Sequence, residues 1–162
     1  MESPQPWYVE MRAEAHAVLR LTSRGGLEVA RLPGKAGVDL LLTLAPDGEL
    51  SGRHLGVVIK PRASEADVPR LTPRGVRRER ARFASTTFPV CMVSFSPMGK
   101  LGYFRWIIEP SVENGEPVLG YAQRTHFEPI TDALLDGVFA QVDAWYDARL
   151  GEAAHVAESR LR

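Results

Sequence analysis

The chain has one cysteine, Cys91, in 162 residues, so no internal disulfide forms and a small stapled scaffold is excluded. Lysine is almost as scarce: Lys35, Lys60 and Lys100 are the only three, and the other 17 basic residues are arginines. No apolar run approaches the roughly 20 residues that cross a bilayer. The opening stretch MESPQPWYVEMRAEAH has neither a basic leader nor an unbroken apolar segment, which predicts a cytoplasmic protein with no membrane partner. His16, His54, His126 and His155 are scattered singly, and with one cysteine no pair has the spacing of zinc ligands. Walker A and GxGxxG sequences are missing, and neither GKAG nor MGKLG has the pattern that cradles phosphate. No GxSxG elbow is present either: Ser94 and Ser96 lie in an ordinary strand-to-turn sequence.

What remains is an ordinary globular composition, 44 % hydrophobic and 25 % charged, at a length that makes one domain over residues 1–150 and a C-terminal tail over 151–162. Such a chain buries roughly 70 % of its unfolded surface and needs no structural metal. Its net charge is zero, but the zero is a sum. Residues 1–59 balance at −1, residues 60–105 at +7 and residues 106–162 at −6. The positive block centres on LTPRGVRRERARF, where Thr72 and Pro73 predict a cap and first turn and a helix to Phe83. Arg74, Arg78 and Arg82 fall at i, i+4 and i+8 with Arg77 beside them. Like charges so spaced repel, and an anionic surface opposite would relieve them. That surface is nucleic acid, the acidic C-terminal third, or water.

Periodicity predicts a helix from about Gln5 to Arg24 with the stripe Trp7, Met11, Glu14 and Val18, ended by Gly25 and Gly26. Strands are expected in GLEVARL, GVDLLLTL, RHLGVVIKP, FPVCMVSF and LGYFRWII, with a hairpin turn at Asp47 and Gly48 and a loop in SVENGEPVLG. Thr131 caps a last helix whose apolar positions are Leu135, Val138, Val142 and Trp145. Cys91 reads as core. The order α-β-β-β-α-β-β-α predicts an α/β (α+β) fold, a central mixed sheet flanked by helices. Chemistry concentrates on Glu14 in a helix stripe, Asp39 in an apolar strand and Lys60 at the end of the strand after the hairpin. Two acids and a lysine at one sheet end could hold Mg²⁺ and a water beside a phosphodiester, or Asp39 and Lys60 could form a structural ion pair.

The blocks AEAHAVLRLTSRGG, GVDLLLTL, SGRHLGVVIKPR, FPVCMVSF with GYFRWI, and FEPITDALLDGVFAQVDAWYD together resemble the uncharacterised DUF-type family numbered 4365, within the PD-(D/E)xK restriction-endonuclease-like group. The likeness runs from about Arg12 to Asp147. It implies a restriction-endonuclease-like fold and Mg²⁺- or Mn²⁺-dependent hydrolysis of DNA. In that reading Asp39 is the principal metal ligand, Glu14 the auxiliary acid, Lys60 the group that orients water, and the Ile59 carbonyl a further ligand. Arg74, Arg77, Arg78 and Arg82 would hold phosphate. The sequence departs from the group at Val58, where a Glu or Gln is usual two residues before the lysine. His54 and Arg62 flank that strand as candidate replacements. An altered nuclease, defence-related or not, and an inactive nuclease fold kept as a DNA- or protein-interaction subunit or homo-oligomer both fit this pattern.

Overall fold

The structure, a computed structural model, describes residues 6–160. Helix α1 (Trp7–Leu21) leads through a 3₁₀ turn into β1 (Leu27–Arg31), β2 (Leu40–Leu44) and β3 (Arg53–Pro61). Helix α2 (Pro73–Arg82) then precedes β4 (Val90–Phe95), β5 (Tyr103–Glu113), β6 (Glu116–Tyr121), the two-residue β7 (Glu128–Pro129) and α3 (Asp132–Arg160). The sheet runs β1-β2-β3-β4-β5-β6, with β7 beside β5. β3 and β4 are parallel, joined across α2, and the other neighbours are antiparallel. This is the mixed sheet flanked by helices that the residue pattern predicts.

Strand alternation sorts side chains onto two faces. Leu55, Val57, Cys91, Val93 and Phe95 point to the face covered by α1 and α3, against Ala13, Ala17, Leu135, Val138 and Val142. Val58, Val90 and Met92 point to the other face, which Phe83 at the end of α2 covers. β4 is buried throughout, as befits a central strand covered on both sides. Cys91 is fully buried in this core, and burial pushes its thiol far above the ordinary range, so it is inert.

Three local expectations need correction. The core stripe of α1 is Val9, Ala13, Ala17 and Leu21; Trp7 and Met11 are exposed. Small alanines let the helix lie close over β3 and β4, and the larger apolar residues fall outside that contact. The predicted start at Gln5 lies outside the described residues. SVENGEPVLG is the β5–β6 hairpin rather than a loop: Asn114 (φ 52°) and Gly115 (φ 84°) both take left-handed conformations, the requirement of a tight two-residue turn. β2 begins at Leu40, after a left-handed turn at Gly37. The tail after Gly151 is helical, as its sequence suggests, and is continuous with α3 to Arg160; residues 161–162 lie outside the described residues.

Candidate functional site

Asp39 sits at the start of β2, fastened on both sides. Its N–H donates to the Val57 carbonyl at 2.8 Å and its carbonyl accepts from Leu32 N–H at 3.0 Å. Its side chain carries the ladder one step further: Oδ2 accepts the Ile59 N–H at 2.7 Å. Within a strand the N–H and C=O of one residue point to the same side, so the Ile59 carbonyl is directed toward Asp39 as well. From above, α1 brings Glu14, whose Oε1 lies 2.5 Å from Arg31 Nε at the end of β1. Glu14 and Asp39, together with Glu10, Ile59 and Pro61, line one cavity of about 260 Å³. Two of the three predicted site side chains and the predicted backbone ligand therefore share a cavity. Glu10 escaped the sequence reading, although it lies one turn before Glu14 and so on its face.

Lys60 is placed differently. Ile59 and Pro61 border the cavity, and alternation along β3 turns the residue between them to the opposite face. Its ammonium donates to the Arg70 carbonyl at 3.2 Å. The Asp39–Lys60 ion pair considered from sequence does not form, since each partner is engaged elsewhere. Val58 contributes no oxygen: it packs with Val38, Phe83 and Met92. Neither candidate replacement helps. His54 lies at the other end of β3, its ring 3.0 Å from Thr43 Oγ1 and its backbone bonded to the Tyr146 hydroxyl. Arg62 is buried, stacked over Tyr103 and donating to the carbonyls of Asp67 and Leu101. It staples the 62–67 segment to the turn after β4.

Among the described residues no group of three or more His, Cys, Asp or Glu side chains stands close enough to hold a metal ion. Oxygen donors of this kind suit Mg²⁺ in chemistry, but Mg²⁺ demands near-octahedral geometry. Here Glu14 faces an arginine, Asp39 is committed to an amide, and position 58 is a valine whose side chain offers no oxygen. In this arrangement the side chains do not form a preassembled metal centre.

The arginine helix lies on the other sheet face. Thr72 caps it, its Oγ1 accepting from Gly75 N–H at 3.1 Å, two residues after the carbonyl that holds Lys60. At its C-terminus Arg82 and Phe83 lie against Gly37, two residues before Asp39. The helix has one acid, Glu79, and it is turned inward. Glu79 Oε1 accepts from Arg105 Nη2 and, at 3.0 Å, from the Tyr121 hydroxyl. Burial, and then Glu79 itself, raise the Tyr121 phenol above its ordinary value. Arg80 stacks over the Tyr121 ring. With its carboxylate withdrawn, the helix presents Arg74, Arg77, Arg78 and Arg82 to solvent, and no carboxylate among the described residues pairs with them.

The acidic C-terminal third is not their partner. Asp132 bonds Arg20, Asp136 bonds Arg24, and Asp143 and Asp147 both bond Arg53. These pairs hold Asp132 below the usual carboxylate range, through its bond to Arg20, and raise Arg24 and Arg53 through their bonds to Asp136 and Asp143. A second cavity, of about 340 Å³, opens between α3 and β5–β7, and none of the predicted site residues borders it. No helix among the described residues is long and apolar enough to cross a membrane. No family model, no curated protein and no solved structure matches this chain.

Proposed function

We propose that this protein is a non-cleaving, nucleic-acid-binding module on a restriction-endonuclease-like fold, working in the cytoplasm and gripping DNA phosphates through α2. The carrying observation is the open arginine face of α2: its one acid is buried against Arg105, and Arg74, Arg77 and Arg78 are exposed without carboxylate partners among the described residues. Arginine forks suit phosphate, and contacts of this kind give affinity without sequence preference. The cytoplasmic setting is supported by a free, buried cysteine in a disulfide-free chain. The absence of cleavage is supported by Lys60 pointing away from the acids and by Val58 in the second-acid position.

Fluorescence anisotropy with labelled duplex, across a salt series, tests the reading. Tight binding that weakens steeply with salt and disappears in Arg74→Ala/Arg77→Ala/Arg78→Ala is expected; salt-insensitive binding, or none, would sink it. One observation favours a second reading, Mg²⁺-dependent DNA hydrolysis: Glu14, Asp39 and Ile59 do share a cavity. Incubating supercoiled and linear DNA with Mg²⁺ or Mn²⁺ separates the two. Products that vanish with Asp39→Ala would establish the second reading, and intact DNA the first.

A further inference from the structure

On its outer side β5 is paired with β7 at Tyr103 and Phe104 and with β6 from Ile108 on, the last bond being from Ala122 N–H to the Ile107 carbonyl. At Arg105 and Trp106 no strand stands beside it, and the cavity of about 340 Å³ opens over this gap, under α3. Its volume falls in the range of pockets that hold small molecules. The wall is apolar: Phe104 and Trp106 meet edge to face at 5.2 Å between centroids, and Leu134 and Val138 of α3 complete it. Gly137 borders the space too. Glycine is the poorest helix former after proline, and a Cβ at position 137 would meet nothing within 4 Å. No packing contact among the described residues calls for glycine there; its effect is to keep the cavity open.

The polar groups around the cavity carry both signs, and the fold leaves them underused. Arg124 has no carboxylate within ion-pair distance among the described residues. Arg105, 2 % exposed, also borders the gap; its two terminal nitrogens are taken by the Trp106 carbonyl and Glu79, and its Nε has no acceptor. Glu128 has only the His126 ring, at 3.8 Å, and Glu109 only the neutral Gln141 amide, at 3.4 Å. An anion would be repelled by the two carboxylates and a cation by the arginines, while a neutral occupant would desolvate all of these charges without pairing them. A small zwitterion with an apolar body meets each condition. We infer that the cavity binds a free α-amino acid with an apolar side chain. Its carboxylate meets Arg124, over the gap where the Arg105 Nε lacks an acceptor, and its ammonium meets Glu128, which is held beside the gap by its pairing with Phe104. Its side chain runs along Trp106 into the space that Gly137 leaves. This site is on the α3 side of the sheet and does not depend on the nucleic-acid reading above.

The test is isothermal titration calorimetry of the full chain with L-leucine and L-phenylalanine at neutral pH. Each is run beside its amide, which lacks the carboxylate, and beside 4-methylpentanoate or 3-phenylpropanoate, which lack the ammonium. At least one amino acid should bind, about tenfold more tightly than either of its analogues, since each analogue forfeits a charge-assisted contact. Arg124→Ala, at an exposed position, should bring the amino acid down to the affinity of its amide and leave the urea midpoint unchanged. Gly137→Leu should abolish binding with a urea midpoint at or above that of the parent chain, because the new side chain fills the cavity and favours the helix. No binding of either amino acid, equal binding of amino acid and analogues, or unchanged affinity in Gly137→Leu overturns the amino-acid site, whatever the DNA titrations show.

Discussion

The four aspartates of α3 at 132, 136, 143 and 147 each sit against an arginine of the same chain, whereas Arg74, Arg77 and Arg78 of α2 have no carboxylate partner among the described residues. Both helices carry a block of like charge, and they pack on opposite faces of the sheet. On α3 the charge is spent inside the fold, tying the helix to the end of α1 and the start of β3. On α2 it is left outward, and the one group that would cancel part of it is drawn into the core. A block of charge in a sequence therefore has no fixed meaning: what decides is whether the fold supplies counter-charges, and here it does so for the acids alone. The two blocks, +7 and −6, nearly cancel in the sum, but only one of them remains available to a partner.

The comparison breaks most severely at Glu79. Removing one member of a buried ion pair leaves the other uncompensated, so Glu79→Ala should cost about 3–5 kcal/mol of unfolding free energy, read from the urea midpoint. Arg105 is 2 % exposed, and its other side-chain hydrogen bond goes to the Trp106 carbonyl, which carries no charge to replace the carboxylate. If Glu79→Ala is instead neutral, the inward acid does not anchor α2. Next in size are the outward charges. Replacing Arg74, Arg77 and Arg78 together by alanine should leave the urea midpoint nearly unchanged and lower the slope of log K against log salt by about 0.9 for each phosphate that is no longer neutralised. Arg20→Ala, which leaves Asp132 only Arg24 at 3.7 Å, should leave DNA affinity where it was. Equal weakening by the two sets would show that the paired and unpaired arginines do not differ in what they offer a polyanion.

Much of the sheet was legible because strand pattern is local: LLLTL and VCMVSF become β2 and β4, and Thr72–Pro73 starts α2 where capping chemistry puts it. The Asn114–Gly115 turn carried an equally local signal that the loop reading passed over. The buried face of α1 was misjudged because helix packing at short range selects alanine rather than large side chains. The charge pairing could not be read at all, since Arg20 and Asp132 are 112 residues apart and their meeting is a product of the tertiary fold. At the candidate site the nearness of Glu14 and Asp39 was expected from the residue pattern, and from the resemblance as well. The direction of Lys60 was not: the Gly37 turn swings the Asp39 carboxylate onto the Ile59 amide, away from the face that Lys60 occupies.

The paired side of the comparison should yield smaller effects. Arg53 holds Asp143 at 2.8 Å and Asp147 at 2.5 Å with a side chain that is 21 % exposed. Exposed pairs are worth up to about 1 kcal/mol, so Arg53→Ala should cost about that much at low salt and less at high salt. A destabilisation several times larger would mean that the α3 pairs behave as buried ones.

The smallest effect is a titration that should touch α3 and spare α2. Asp132 is held below its ordinary value by its bond to Arg20, then by the charges of Arg20 and Arg24. At Glu65, burial works upward, but the Ser96 hydroxyl, the Lys100 N–H and Arg62 outweigh it, and the net shift is also downward. A carboxyl depressed in the folded state takes up protons first in the unfolded chain. Its stabilisation is therefore complete above the ordinary carboxylate range and is lost as pH falls below about 4 toward the folded value. Urea midpoints should be flat from neutral pH to about 5 and decline below that. Added salt should shrink the part due to Asp132, which is solvent-facing, more than the part due to Glu65, whose partners are hydrogen bonds within the fold. A tryptophan-monitored unfolding series at two salt concentrations reads both halves, and a decline of the same size in high salt would place the acid-sensitive contact at Glu65 rather than on α3.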